Sequence, residues 1–305
     1  MADDYLIVRA SQVQFFKTVP FYYQSTEGEY LLYKKIGDVL TEERTAQNRY
    51  PSLYIHHKDK EKALKELTQG LNHEFARQLS EGGLVDIKIA LSNIVREALT
   101  PDQGTAMLAL PETLDILFKN MDKDHTTMEY LTQIAGTSDM VVEHTVNVAA
   151  LTLQYCFFHK LPEKETTILA LCALLHDVGL SRLERQIVDS ETRLTDKEFQ
   201  IYKSHTETGH DMIILNTDFD VAVANVALEH HERIDKSGYP NGSSILCRES
   251  QLIGLIDSYE ALTYHSKPFR KAKTPFNTLH LIKDEVIAGK FSKAIFKEFT
   301  SCLTR

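Results

Sequence analysis

The sequence predicts a mainly α-helical protein, in which a small mixed α/β domain precedes a helical bundle. From Glu61 onward, apolar residues recur at three- and four-residue intervals, which is typical of helices with one buried face. Before that point, short runs of β-branched and aromatic residues indicate strands. We therefore expect a small N-terminal domain at 1–60, a candidate for regulation, then a helical connector at 61–125 and the helical bundle at 126–305.

Four short runs in the N-terminal part are predicted strands: Tyr5–Val8, Phe21–Gln24, Tyr30–Lys34 and Ser52–His56. The segment Ser25–Glu29 contains Gly28 and is a plausible hairpin loop between the middle two strands. Thr41 is followed by two glutamates, and acidic residues favour the positive end of the helix dipole, so Thr41 is a predicted helix start.

Later segments have helical periodicity or a sustained apolar character. The predicted helices are Leu84–Leu99, Glu112–Met121, Val141–Leu153, Ile168–Leu175 and Val221–Glu229, besides the one that starts near Glu61. Gly179 is interpreted as the natural terminator of the fourth of these, because glycine is common just past a helix end.

Composition and charge limit the class of protein. The 305 residues are 43% hydrophobic and 25% charged, as in an ordinary soluble globular protein. The net charge of −9 argues against a polymeric nucleic-acid partner, which needs a broad basic face. The longest apolar run, Ile168–Leu175, is too short to span a bilayer. The start of the chain does not resemble a secretory signal, and the four cysteines include no CxxC pair. We expect a reduced, cytoplasmic protein without membrane association.

Five histidines and two aspartates stand where a metal cluster would need them. The candidate ligands are His144, His176, Asp177, His205, His230, His231 and Asp257. Imidazole and carboxylate suit divalent Fe, Mn or Zn. Seven ligands exceed one tetrahedral site. Two ions bridged by a carboxylate would use all seven, and such a pair is the usual means of cleaving a phosphate ester.

Each motif alone is weak evidence for metal. A single histidine such as His144, inside an apolar helix, is more often a core residue than a ligand. The His176–Asp177 pair is more specific, because an imidazole and a carboxylate at the end of a buried helix are costly unless paired or metal-bound. Glu232 follows two ligands and either orients one of them or forms an ordinary surface salt bridge. His210 and the other seven histidines are interpreted as surface or core residues.

The order of these motifs resembles the HD-GYP family, a branch of the HD-domain metal-dependent phosphohydrolases. The matching segments are His144, HDVGL at His176–Leu180, HTETG at His205–Gly209, HHERIDKSGYP at His230–Pro240, and DSYEALT at Asp257–Thr263 followed by KPFR. The resemblance covers roughly 135–275, and the HHExxDxxGYP pattern is highly specific.

The resemblance implies a helical-bundle HD-type domain that hydrolyses cyclic di-GMP to linear pGpG or GMP. His144, His176, Asp177 and Asp257 would hold one ion, and His205, His230 and His231 the second, with Asp177 bridging. Iron or manganese is the expected metal, and His176 and Asp177 are the expected catalytic residues. The expected substrate-binding residues are Tyr239, Lys236, Lys267 and Arg270. The family also implies contacts with other signalling proteins through the GYP loop.

Departures from the family pattern leave a second function open. The lysine of the family's HDxGK motif is Leu180 here, the glycine after Asp235 is Lys236, and Thr206 replaces a proline. Met140 stands where members with a third ion have an acidic residue, so two metals are predicted. Lys236 could force a different backbone in the loop or return the charge lost at Leu180. The alternative is a catalytically degenerate protein that senses cyclic di-GMP or binds other proteins.

Overall fold

The computed structural model describes residues 4–38, 40, 50–100, 104–120, 140–264 and 271–303. These residues form many α-helices and one small antiparallel sheet, which confirms the predicted fold class. The chain divides into two compact units, Met1–Glu74 and Phe75–Arg305. The finer division at residues 60 and 125 stays a prediction. Within the described ranges, none of the helices has the length and apolar character needed to cross a membrane.

The first unit contains a four-stranded sheet. Its strands are β1 (Tyr5–Val8), β2 (Phe21–Gln24), β3 (Tyr30–Lys34) and β4 (Leu53–His56), in the spatial order β1-β4-β2-β3 with antiparallel pairing. The four predicted strands are therefore confirmed, with β4 beginning one residue late. The predicted hairpin loop is also confirmed, because the amide of Ser25 donates to the carbonyl of Glu29. The predicted helix start at Thr41 lies outside the described residues.

Burial alternates along β4, where Leu53 and Ile55 are buried, because alternate strand residues point to the same side of a sheet. Phe21 and Leu53 from the sheet and Leu67 from the first helix are all buried. Lys34 is buried as well, and its ammonium donates to the carbonyl oxygens of Phe16 at 2.5 Å and Val19 at 3.3 Å.

The described part of the chain contains twelve α-helices. They are α1 (Lys60–Glu81), α2 (Leu84–Ala98), α3 (Leu110–Asn120), α4 (Met140–Phe158), α5 (Glu163–Leu175), α6 (Arg185–Val188), α7 (Asp196–Lys203), α8 (His205–Asn216), α9 (Val221–Glu229), α10 (Arg248–Thr263), α11 (Pro275–Ile287) and α12 (Lys293–Leu303). A 3₁₀ helix, Val178–Arg182, follows α5 closely.

Helix α5 is the central element of the second unit. Glu163 and Glu165 lie in its first turn, where acidic side chains complement the helix dipole. Every residue of its last two turns, 169–175, is buried. A helix that is apolar on all sides belongs inside the protein, and α5 accordingly packs against α4, α9 and α10. Its C-terminal end carries His176 and Asp177 into the middle of the bundle.

Candidate metal centre

The seven predicted ligands converge at one place in the second unit. His144 lies in the second turn of α4, and His176 and Asp177 link α5 to the 3₁₀ helix. His205 is the first residue of α8, and His230 and His231 directly follow α9. Asp257 lies in the third turn of α10. Five separate segments therefore supply the cluster.

The cluster divides into two groups around Asp177. One group comprises Asp177, His205, His230 and His231, and the other His144, His176 and Asp257, with one potential ligand atom of each member within 4.8 Å of the others in its group. Oδ1 of Asp177 lies 3.3 Å from Nε2 of His205 and 3.5 Å from Nε2 of His230. Its Oδ2 lies 3.3 Å from Nε2 of His176 and 3.7 Å from that of His144. The two oxygens of one carboxylate thus face the two groups.

Hydrogen bonds fix the tautomer of three of the histidines. Nδ1 of His176 lies 2.8 Å from the carbonyl of Ala173, and Nδ1 of His205 lies 2.6 Å from that of Tyr202. Nδ1 of His230 contacts two carbonyls of α9 at 3.1 Å. A carbonyl oxygen only accepts, so each Nδ1 carries the proton. In the neutral rings each Nε2 therefore presents its lone pair to the cluster, the pattern found for metal-bound histidine.

This arrangement fits divalent metal ions. Nε2 of His205 and Nε2 of His230 lie 3.4 Å apart with no proton of their own to share. Oδ1 of Asp177 and Nε2 of His231 are buried without a hydrogen-bond partner among the described residues. Two ligands roughly 2.1 Å from one ion would lie roughly 3.0–3.5 Å apart. The distances among Asp177, His205 and His230, and those from His144 to His176 and Asp257, match this spacing. Hydrogen-bond acceptors that lie this close together repel one another unless a cation binds between them.

The pKa values of the metal-free cluster differ between the two groups. Burial lowers the pKa of His205 to about 4, aided by the neighbouring His230, although Asp177 opposes the shift. Burial and His230 also hold the pKa of His231 well below its usual value. In the other group burial acts in the same direction, but Glu260 and Asp257 raise the pKa of His144 well above its usual value. Asp177 likewise raises the pKa of His176. Without metal, protons therefore collect on the His144 side.

Two glycines let the segments that carry ligands touch. A Cβ atom on Gly179 would lie 1.9 Å from the carbonyl oxygen of His205, and one on Gly254 would lie 2.3 Å from that of His230. The interpretation of Gly179 as a helix terminator is wrong, since α5 ends at Leu175 and Gly179 lies within the 3₁₀ helix. Gly179 instead provides the close approach between this 3₁₀ helix and α8.

Glu260 is a residue of the site that sequence reasoning missed. It is fully buried in α10, and its Oε2 lies 2.5 Å from Nδ1 of His144. Its Oε1 accepts from the side-chain amide of Asn147 at 2.7 Å. The available signal was its place one helical turn after Asp257, on the same face of α10. Glu260 therefore orients the imidazole of His144, as backbone carbonyls orient those of His176, His205 and His230.

Among the residues that the structure describes, Glu232 forms neither the contact with a ligand nor the salt bridge that was weighed for it. Its buried carboxylate accepts from the backbone amides of Asn241 at 2.6 Å and Ser243 at 3.0 Å. It therefore fastens the end of the GYP loop. Lys236 in this loop has a φ of 68°, in the left-handed region that glycine adopts readily. The lysine thus keeps a conformation suited to the glycine of the family pattern.

A cavity of about 490 Å³ opens onto the cluster. His144, Asp177, His231 and Asp257 contribute to its lining, whereas His176, His205 and His230 are fully buried behind it. Leu180 also lines the cavity, as does Met140. Leu180 stands where the family pattern has a lysine, and Met140 stands where some members have an acidic residue. Both positions are therefore apolar parts of the cavity wall here. Tyr202 and Arg233 are two further lining residues that the sequence did not single out.

The structure places the predicted substrate-binding residues as follows. Tyr239 packs on the cluster, its ring centroid 4.6 Å from that of His231. Lys236 is exposed, and its side chain makes no hydrogen bond within the described part of the chain. Lys267 and Arg270 lie outside the described residues. Their roles, like those of the seven ligands, stay predictions. His210 is apart from the cluster and contacts Asp211.

Comparison with known sequences identifies the family. The sequence model of the HD domain family matches residues 129–291. The chain belongs to the HD domain family. HD-domain phosphohydrolases use divalent metal ions, and the two side-chain groups described above could hold such ions. The predicted resemblance to the HD-GYP branch is confirmed as well.

Curated relatives share part of their length with this chain. Cyclic di-GMP phosphodiesterase PA4108 of Pseudomonas aeruginosa is 28% identical over 178 residues, 57% of this chain and 42% of that protein. The 3'3'-cGAMP-specific phosphodiesterase 2 of Vibrio cholerae is 26% identical over 261 residues, 84% of this chain and 46% of that protein. Further relatives carry one or the other of these substrate names. The chain thus spans less than half the length of the two relatives described.

A solved structure has the same fold. Bd1817, a HDG"Y"P protein from Bdellovibrio bacteriovorus, superimposes with a TM-score of 0.60 at 18% sequence identity. The superposition covers 99% of this chain and 100% of the other. At this identity the likeness concerns the fold alone.

Proposed function

We propose that this protein is a metal-dependent phosphodiesterase that hydrolyses cyclic di-GMP through a dinuclear centre. The observation that carries the proposal is the position of Asp177, whose two carboxylate oxygens face two separate groups of imidazoles. The names of matching relatives support the substrate. The proposed ligands are His144, His176, Asp177 and Asp257 for one ion and His205, His230 and His231 for the other, with Asp177 shared.

A bound pair of divalent ions would supply Lewis acidity toward the phosphoryl oxygens and lower the pKa of a coordinated water. The chain's own contribution is to hold the ligands ready. The carbonyl acceptors of His176, His205 and His230 keep each Nε2 aimed at the cluster, so that little reorganisation accompanies metal binding. The low pKa of His205 keeps that ring neutral at physiological pH.

The cavity supports a small-molecule substrate. Its volume of about 490 Å³ lies within the roughly 300–1,000 Å³ usual for small-ligand sites. It reaches both groups of ligands through His144 and His231, so a phosphodiester bound there would contact both proposed ions. Tyr239, packed against His231, is proposed to support the ligand at that side of the site.

Iron or manganese is the proposed metal. Histidine nitrogen and carboxylate oxygen suit both ions, and the described cluster contains no thiolate that would favour a softer metal. Reconstitution of metal-free protein with Fe(II) or Mn(II), under anaerobic conditions for iron, should restore more turnover than Mg(II). Equal restoration by Mg(II) would argue against this assignment.

The primary test combines metal analysis with a product assay. Protein purified without chelator should carry about two metals per chain, as a bridged pair requires, and should convert cyclic di-GMP to a linear product. Asp177→Asn keeps the shape of the side chain but removes its charge, and should lose both metal and turnover. His210→Ala, a histidine change outside the cluster, is the matched control and should behave as wild type. Metal-replete protein that leaves cyclic di-GMP intact over hours would refute the proposal, and 3'3'-cGAMP serves as the comparison substrate.

A cyclic di-GMP sensor without turnover is the second candidate. It is favoured by Leu180, which puts an apolar side chain in the cavity wall where the family pattern has a lysine. The two candidates differ in one measurement. Tight binding of cyclic di-GMP without linear product would support the sensor, and any metal-dependent product would exclude it.

Contacts of the GYP loop with other signalling proteins are also proposed. Ser237 and Lys236 are exposed, while Glu232 fixes the backbone at the end of the loop. The loop thus presents a defined surface to solvent. Changing Ser237 to Glu should weaken binding to such a partner without changing the metal content, and unchanged binding would count against this role.

A further inference from the structure

We infer that Lys88, on helix α2, is a positioning residue that sets the metal affinity of His144 through Asn147 and Glu260. This inference rests on the proposed dinuclear function but concerns a residue outside the motifs and outside the matched family region at 129–291. Lys88 precedes His144 by 56 positions (144 − 88). The side chains of Asn147 and Glu260 connect these two residues, and Glu143 anchors the lysine.

Lys88 is fully buried, which is unusual for a lysine and costly unless its charge is paired. Its Nζ lies 2.5 Å from Oε1 of Glu143 and 2.9 Å from Oδ1 of Asn147. Both acceptors are on α4, on either side of His144 in the sequence. The lysine therefore binds α2 to the helix that carries the first proposed ligand.

The ammonium group also decides how the amide of Asn147 is oriented. An ammonium only donates, so it must face the amide oxygen and not the amide nitrogen. With Oδ1 held by Lys88, Nδ2 points the other way and donates to Oε1 of Glu260 at 2.7 Å. A reversed amide would set donor against donor at Lys88 and acceptor against acceptor at Glu260.

Glu260 transmits this orientation to His144. Its Oε1 is occupied by the Asn147 amide, and its Oε2 lies 2.5 Å from Nδ1 of His144. A carboxylate in this position accepts a hydrogen bond from Nδ1–H, so the neutral ring presents the lone pair of Nε2, which lies 3.2 Å from Oδ1 of Asp257 and 3.3 Å from Nε2 of His176. Each hydrogen bond in this series pairs a donor with an acceptor. Because the ammonium of Lys88 can only donate, it determines the direction of every hydrogen bond from Asn147 to His144.

A purely structural role makes a different prediction. If Lys88 only neutralises Glu143, its loss should lower stability and leave the metal affinity of the folded protein unchanged. If it positions His144, the affinity should fall by more than the loss of stability explains. Groups that orient a metal ligand typically contribute about 10–100-fold in affinity.

The test measures Mn(II) dissociation constants of the metal-free 305-residue chain, together with its thermal midpoint. Lys88→Met retains the length of the side chain but not the charge. It should weaken Mn(II) binding at the group that contains His144 by about tenfold. Lys88→Arg retains a donor-only cation and should restore most of the affinity. Ile94→Ala, at a buried position of the same helix, is the control for destabilisation and should leave the affinity within about twofold of wild type.

Asn147→Ala provides a second variant in case Lys88→Met does not fold. It leaves the Lys88–Glu143 ion pair in place and interrupts only the connection to Glu260, so it too should weaken Mn(II) binding. Wild-type affinity in folded Lys88→Met, or in Asn147→Ala, would overturn the inference. Because no substrate is used, the result stands whether or not the protein hydrolyses cyclic di-GMP.

Discussion

The peptide carbonyl of His205 occupies the space that a side chain on Gly179 would need. The added Cβ would lie 1.9 Å from that oxygen, well inside any allowed contact. His205 begins α8, and Gly179 follows the His176–Asp177 pair by two residues. The distance between ligands of the two groups is therefore set by direct backbone packing, without an intervening side chain.

Gly179→Ala should separate these segments. We expect a loss of stability of about 1–3 kcal/mol from the overpacking, together with a reduced metal content, since His205 moves relative to Asp177. Chemical denaturation and metal analysis of the same sample measure the two effects. Gly83→Ala is the control, because the nearest atom to its added Cβ is 3.7 Å away. Full metal occupancy in Gly179→Ala would show that the close contact is dispensable.

Lys236→Gly should stabilise the protein. The left-handed backbone at Lys236 costs a non-glycine residue roughly 1–2 kcal/mol, and the greater freedom of glycine in the unfolded chain returns part of this. A net gain of about 0.5–1 kcal/mol in the free energy of unfolding is expected. Lys197→Gly, at an exposed position in helix α7, should have the opposite effect. A destabilised Lys236→Gly protein would mean that the lysine makes a compensating contact.

Metal binding to the two groups should respond differently to pH. Raised pKa values mean that His144 and His176 retain protons above pH 6.5 in the metal-free protein, so an ion must displace them. Affinity at this group should fall as pH decreases from 8 to 6. His205, with a pKa of about 4, and His231 are already neutral there, so neither of these two ligands should release a proton, and affinity at the second group should depend less steeply on pH.

Calorimetric titration with Mn(II) in buffers of different ionisation heat measures the protons released. We expect release of at least about one proton at pH 7 for the His144 group and fewer protons for the other. The His230→Ala variant, with the second group impaired, should retain the proton release. Equal proton release from both groups would contradict the assignment.

Leu180→Lys should strengthen the interaction with cyclic di-GMP. Leu180 is buried in the cavity wall, but a lysine stem can follow the apolar surface and leave its ammonium in the cavity. A cation near the phosphodiester should raise kcat/KM by about tenfold, equivalent to about 1.4 kcal/mol. Leu180→Met, which preserves volume and polarity, should match wild type. An unchanged or lower kcat/KM in Leu180→Lys would indicate that the apolar wall is itself suited to the substrate.

The ligands could be predicted because their residue types and order are visible in the sequence. A histidine followed by an aspartate at the end of an apolar helix is costly without a partner, and the GYP motif adds specificity. The strands were equally visible, since their β-branched and aromatic runs are bounded by polar turns. Both signals are local in the chain.

The supporting residues were not visible in this way. Lys88 occupies one position in a helix of mixed polarity and would ordinarily be placed at the surface; its burial comes from packing of α2 against α4. The role of Glu232 depends on the path of the GYP loop, which brings Asn241 and Ser243 back to it. The function of Gly179 depends on where α8 starts in space. Each relationship depends on how the chain folds in space, and those of Lys88 and Gly179 join segments far apart in the sequence.

The burial of His176, His205 and His230 behind the cavity has a kinetic consequence. Within the described residues, the cavity reaches the cluster at His144, Asp177, His231 and Asp257, so an ion and a nucleotide would share one passage. A nucleotide seated in that passage would slow exchange of the ions with the medium. A chelator should then remove metal quickly from the free protein and slowly from its complex with the nucleotide. The bound nucleotide would thus protect from loss the same ions that bind its phosphodiester.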